Sequence, residues 1–162
     1  MSLIKAEAIA KGLVKQLEPF CDRIAIVGSI RRRKQEVKDI DILLAPKGAM
    51  LYGLMGKIAE LGSEEGAKIT SKKTIKIKDE VEDVKAELWF TTVERWPVML
   101  LVRTGGVKSN KKIAMLCEQK GWHLSVSEGS ILDRDGEKLP IEEEEDVYKL
   151  LGIPYIEASW RE

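Results

Sequence analysis

The sequence predicts an α/β protein: a mixed β-sheet with helices on one side, then a smaller α/β unit beginning near Glu94. Three observations predict it. Apolar residues recur at helical spacing in two early stretches, Ile9-Ala10-Leu13-Val14-Leu17 and Met50-Leu51-Leu54-Met55-Ile58-Leu61. Apolar or alternating runs of strand length lie around them, at 24–27, 39–44, 74–78 and 84–90. Charge is also unevenly spread. Residues 1–112 hold 22 Lys and Arg against 15 Asp and Glu, whereas 113–162 hold 5 against 12. The formal net charge of zero therefore conceals a basic front able to face nucleic acid and an acidic tail.

In chain order, the first helix covers 6–17 and Pro19 stops it. Ile24 to Val27 reads as a buried strand that turns sharply at Gly28. A second strand over 39–44 leads into the Pro46-Lys47-Gly48 turn, and the second helix ends at Gly62. Its methionines read as core filler. The basic segment 70–78, with Lys72, Lys73, Lys76 and Lys78, and the strand 84–90 form a hairpin across a polar connection at 79–83. On 84–90, Lys85, Glu87 and Trp89 share one face. Residues 91–97 read as a hinge. The apolar run 98–103 enters a flexible corner, Thr104-Gly105-Gly106. A helix over 109–120 stops at Gly121. Residues 122–126 and 130–133 suggest a small hairpin. A last helix covers 142–151, its acidic first turn suited to the positive helix end. Glu142 to Asp146 reads as a solvated helix start, and His123, the sole histidine, as structural.

With 162 residues the chain is one domain or two small lobes sharing a core. No apolar run approaches the roughly 18 residues of a membrane span, and there is no signal-peptide pattern. Cys21 and Cys117 lie far apart without metal-ligand spacing. They read as buried thiols of a reducing compartment, and a cytoplasmic location is expected.

The chemistry gathers between Gly28 and Leu44. On a strand, Asp39 and Asp41 project from the same face. Two carboxylates held that close repel unless a cation lies between them. Just upstream, the Ser29 hydroxyl, Arg31, Arg32, Arg33 and exposed N–H groups suit a polyphosphate. The stretch reads as a site for a metal-bound nucleotide. Among the cations Arg32 is the specific candidate. Arg31, Arg33 and Lys34 read as solvated or generic phosphate contacts.

Gly28-Ser29, Arg32, Asp39-x-Asp41, the carboxylate strand Val84 to Phe90 and the turn Arg103-Thr104-Gly105 followed by Asn110 resemble the X-family DNA polymerases. Glu118 to Gly121, Pro140, Glu145-Asp146 and Tyr155 fall in the same order. The resemblance implies a nucleotidyltransferase palm over 1–93 and a small α/β thumb over 94–162. It implies DNA-directed DNA polymerisation from deoxynucleoside triphosphates onto a primer 3′-hydroxyl, in gap-filling repair, by a monomer. Two Mg²⁺ ions, with Mn²⁺ a possible substitute, would clamp the attacking and leaving oxygens. Asp39 and Asp41 would bridge both ions, and Glu87 would bind the catalytic one. Gly28, Ser29, Arg32 and the Lys38 N–H would hold phosphates. Thr104 and Gly105 would line the sugar, and Asn110 would meet the base. Lys72, Lys73, Lys76, Lys78, Lys111 and Lys112 would touch DNA. Glu87 stands where the family usually has Asp, which moves the oxygens by roughly 1.5 Å. Lys38 and Arg33 stand where Gly is common, and Val102-Arg103 where aromatics sit beside the sugar. Two other classes remain open: a nucleotidyltransferase with a non-DNA acceptor, and a catalytically weak DNA-binding module.

Overall fold

The computed structural model describes residues 1–65, 72–79, 81 and 83–162. Residues 70 and 71 of the basic segment, and 80 and 82 of the polar connection, lie outside them. The first helix, α1 (Leu3–Leu17), starts earlier than its apolar stripe because Ser2 caps it, its hydroxyl accepting the Lys5 N–H. It buries Ala6, Ala10, Leu13 and Leu17. Pro19 lies in the 3₁₀ turn that ends it.

Five strands form one sheet: β1 (Cys21–Ile26), β2 (Ile40–Pro46), β3 (Ser63–Glu65), β4 (Lys72–Ile77) and β5 (Val84–Phe90), in the order β1-β2-β5-β4-β3. The β2–β5 pair is parallel and the other pairs are antiparallel, so the sheet is mixed as expected. Parallel strands need a long crossover. Helix α3 (Leu51–Leu61), β3 and β4 supply it. The short β3 strand was not predicted.

Alternation sorts the sheet's two faces. Ile40, Ile42 and Leu44 of β2, with Ala86 and Leu88 of β5, pack beneath α1 and α3. Leu43 and Ala45 point the other way, onto Trp96 and Met99 of α4 (Trp96–Thr104). Helices therefore lie on both sides, not one. The expected hinge at 91–97 gives way at Trp96-Pro97, because proline suits a first helical turn. A further cluster joins α4 to α5 (Val107–Gln119), the β6–β7 hairpin (His123–Ser125, Ser130–Leu132) and α6 (Glu144–Leu151). Cys21 and Cys117 are buried, and burial pushes both thiols up to about 11, which leaves them poor nucleophiles.

One buried carboxylate ties the two halves of the chain. The α6 start is not simply solvated: Glu143 and Asp146 form its capping box, but Glu144 is 2% exposed. Arg31, from the helical turn α2 (Gly28–Arg31), donates to Glu144 twice, at 3.0 and 2.7 Å. Arg161 donates at 2.5 Å and the Tyr155 hydroxyl at 3.1 Å. Arg31 is thus committed inside the fold rather than to solvent or phosphate. Burial alone would raise the Glu144 carboxyl; the hydrogen bonds from Arg31 and Arg161 outweigh it, and the net shift is down. A depressed carboxyl stabilises the fold fully above the ordinary Glu value of about 4.3, and this is lost as pH falls through the lower folded value. Glu144→Ala leaves the buried Arg161 guanidinium, and the half-buried Arg31, without their carboxylate and is expected to cost about 3–5 kcal/mol in urea unfolding. Exposed Glu145→Ala is expected to stay within about 0.5 kcal/mol of the parent. Equal costs for the two would contradict this reading.

Candidate functional site

The site is built where β1 runs into α2. Val27 is extended, and Gly28 then takes φ +60°. A Cβ at Gly28 would lie 2.1 Å from Asp41 Oδ2, so only glycine leaves room for that carboxylate. Above it opens a cleft of about 380 Å³, lined by Gly28, Ser29, Arg32, Lys38, Asp39, Asp41 and Arg103, with Lys34 and Glu36 at its edge.

Parallel register sets Asp41 directly beside Glu87. Asp39 lies one residue before β2 begins, not within it. Asp41 Oδ1 accepts the Trp89 indole N–H at 3.1 Å. Glu87 Oε1 accepts from Lys85 at 2.6 Å and Lys72 at 3.2 Å, and Lys85 Nζ is also 3.7 Å from Asp39 Oδ2. The two neighbours titrate in opposite directions. Burial pushes the Asp41 carboxyl up; the Trp89 bond offsets part of this, but the charges of Glu87 and Asp39 add to it. Burial also acts to raise Glu87, yet its two lysine bonds prevail and hold it below the usual range.

Asp39, Asp41 and Glu87 offer the hard oxygens that Mg²⁺ takes. Asp41, half-buried and repelled by two acids, is a carboxylate that a cation would relieve. Among the described residues, however, no group of three His, Cys, Asp or Glu side chains is arranged to hold a metal ion. Lysines occupy Glu87 instead.

The cations of the cleft are anchored. Arg32 Nη1 donates to the carbonyl of Thr104. The Arg103 guanidinium lies 3.6 Å from the Trp89 ring centroid, and Lys72 Nζ lies 4.9 Å from the same ring. Burial lowers both arginines, and Asp41 pulls both back up. Thr104, Gly105 and Asn110 do not line the cleft. The buried Thr104 hydroxyl accepts from Arg31, and Asn110 donates to the Val102 carbonyl at 2.9 Å. Gly105 has φ +72° and approaches Arg32. These three build the turn that positions Arg32.

The predicted DNA-facing lysines separate. Lys72 reaches the acids, and Lys76 shares its face by alternation. Lys73, only 8% exposed, lies on the opposite face with Ile75. Lys78, Lys111 and Lys112 are exposed. The α5 start is already engaged, since the Ser109 N–H donates to the Glu162 carbonyl oxygen at 2.6 Å.

Residues 99–162 match the family described as DNA polymerase beta thumb. The match relates this part of the chain to the X-family polymerases. It covers α5, the hairpin, α6 and most of α4, including Arg103. No curated protein matches the chain. Among the described residues no helix is long and apolar enough to cross a membrane.

Sequence reasoning allowed for a Lys85–Glu87 pair but missed the roles of Trp89 and Arg103. The alternation on 84–90 placed Lys85 and Trp89 beside Glu87, but nothing local brings Arg103 onto the indole. Because folding raises the Asp41 carboxyl, its contribution is fully present below the ordinary Asp value of about 3.9 and lost as pH rises through the raised value. Asp41→Asn keeps an oxygen for Trp89 and removes the charge. Thermal melts at pH 7 without added metal are expected to show a higher Tm for the variant, the gain disappearing in acid. A lower Tm at pH 7 would contradict the repulsion.

Proposed function

We propose that the protein is an X-family DNA polymerase, transferring a nucleotide from a deoxynucleoside triphosphate to a primer 3′-hydroxyl in short-gap repair. Residues 1–93 would act as palm and 94–162 as thumb. The observation that carries the proposal is Asp41 beside Glu87 at the floor of a cationic cleft, in a chain whose carboxy-terminal part matches a polymerase thumb.

Each residue then has a task that its position allows. Ser29, Arg32 and Lys38, which all line the cleft, hold the triphosphate. Arg32 is fixed for this by the Thr104 carbonyl. Asp39 and Asp41 would hold divalent ions, and Glu87 would join them. Bound ions of this kind supply Lewis-acid stabilisation of the attacking and leaving oxygens. For Glu87 to contribute, Lys85 and Lys72 must release it. A primer phosphate arriving beside Lys72 offers that lysine another anion. Lys111 and Lys112 meet the DNA backbone from the exposed face of α5.

A second reading has its own support. The paired lysines on Glu87, in a site usually built with Asp, favour a DNA-binding module of weak activity. Extension of a primer across a one-nucleotide gap, with Mg²⁺ and labelled deoxynucleotide, separates the two. Polymerisation predicts extension by the parent and a fall of at least about 100-fold in Asp41→Asn, beyond the usual effect of an outer-shell residue. Equal rates would refute the mechanism. Binding of gapped DNA by a parent that does not extend it would leave the second reading.

A further inference from the structure

Arg103 stands apart in the cleft. Among the described residues, every other lining residue comes from the segment 28–41, and Arg103 alone reaches in from α4. Its guanidinium is stacked 3.6 Å from the Trp89 centroid, and stacking leaves the N–H edges of the fork available. The indole is itself fixed, because its N–H donates to Asp41. Arg103 is therefore positioned relative to Asp41 through Trp89.

Arg32 arrives at the same wall from the other side. Its Nη1 donates to the carbonyl of Thr104, the residue that follows Arg103. A Cβ at Gly105 would lie 2.9 Å from that same nitrogen, so the turn is shaped to let Arg32 in. The Arg32 guanidinium is thus bonded to the turn that follows Arg103, and both side chains line the same cleft. Each also has a buried Nε–H with no acceptor. Arginine carries five donors and no acceptor, so each of the two has donors to spare in the cleft. Asp41 is close to both but is already held by Trp89 and Gly28. What the wall lacks is an anion with several acceptor oxygens. A small turn of each fork toward the cleft would present its donors to one.

We propose that Arg103 is a substrate-binding residue, forming with Arg32 a two-guanidinium clamp on the phosphoryl oxygens of a nucleoside triphosphate, on the Asp41 side of the cleft. The inference rests on the nucleotidyl-transfer reading of that cleft. The alternative is that Arg103 only neutralises Asp41 and Glu87.

Titration calorimetry on the full chain, with no added metal and again with Mg²⁺, tests it. The ligands are a non-hydrolysable deoxynucleoside triphosphate analogue and the matching phosphate-free deoxynucleoside. Arg103→Leu is expected to weaken the triphosphate about tenfold or more while leaving the deoxynucleoside unchanged. Arg103→Lys, which keeps the charge but loses the flat fork, is expected to recover part of the loss. Triphosphate affinity within about twofold of the parent in folded Arg103→Leu would overturn the clamp. So would an equal loss for both ligands, the mark of a merely structural role. If Arg103→Leu does not melt cooperatively, the Lys variant decides, and a parental ratio of the two affinities overturns the proposal. A parent that binds no triphosphate would overturn the nucleotidyl-transfer reading and the clamp with it.

Discussion

The parallel pairing of β2 with β5 sets two carboxylates side by side, and much of the cleft is arranged around that fact. Neighbouring strands are about 4.8 Å apart. Two unit charges at about that spacing repel by roughly 3 kcal/mol at an effective dielectric of about 20. The fold answers with directed partners rather than with separation. Lys85 and Lys72 bind Glu87, Trp89 binds one oxygen of Asp41, and Gly28 gives space to the other. The opposite titration shifts of the two acids follow from this division.

The second constraint is Glu144. It takes Arg31 from the turn that carries Ser29 and Arg32, together with Arg161 and Tyr155 from the end of the chain. The Thr104 turn is tied to the same element through Arg31 and Arg32. The cleft wall from α4 and the turn that carries Ser29 and Arg32 are thus held in one network around a buried carboxylate. A change at Glu144 should reach the cleft through Arg31 without touching any residue that lines it.

The elements that carry strong local patterns were legible. The stripes of α1 and α3, the hairpin of β4 with β5, and the shared face of Lys85, Glu87 and Trp89 follow from periods of 3.6 and 2. The nearness of Asp41 to Glu87 was not contained in either strand, because parallel register is a tertiary choice. Glu144 was misread for a similar reason. Four successive glutamates look solvated, and only partners distant in sequence identify the one that turns inward. Thr104, Gly105 and Asn110 lie at the turn the sequence marked, yet they brace it instead of facing the cleft. Lys73 shows the limit of composition: it sits among lysines but on the buried face of β4.

We propose that Asp39, Asp41 and Glu87 converge on a shared divalent ion once a nucleotide is present. The most direct measurement is an anomalous-diffraction structure of the protein with Mn²⁺, a non-hydrolysable deoxynucleoside triphosphate and gapped DNA. Manganese peaks are expected among those three carboxylates, with Lys85 and Lys72 withdrawn from Glu87. Manganese located elsewhere, or absent while Glu87 still accepts from both lysines, would contradict it.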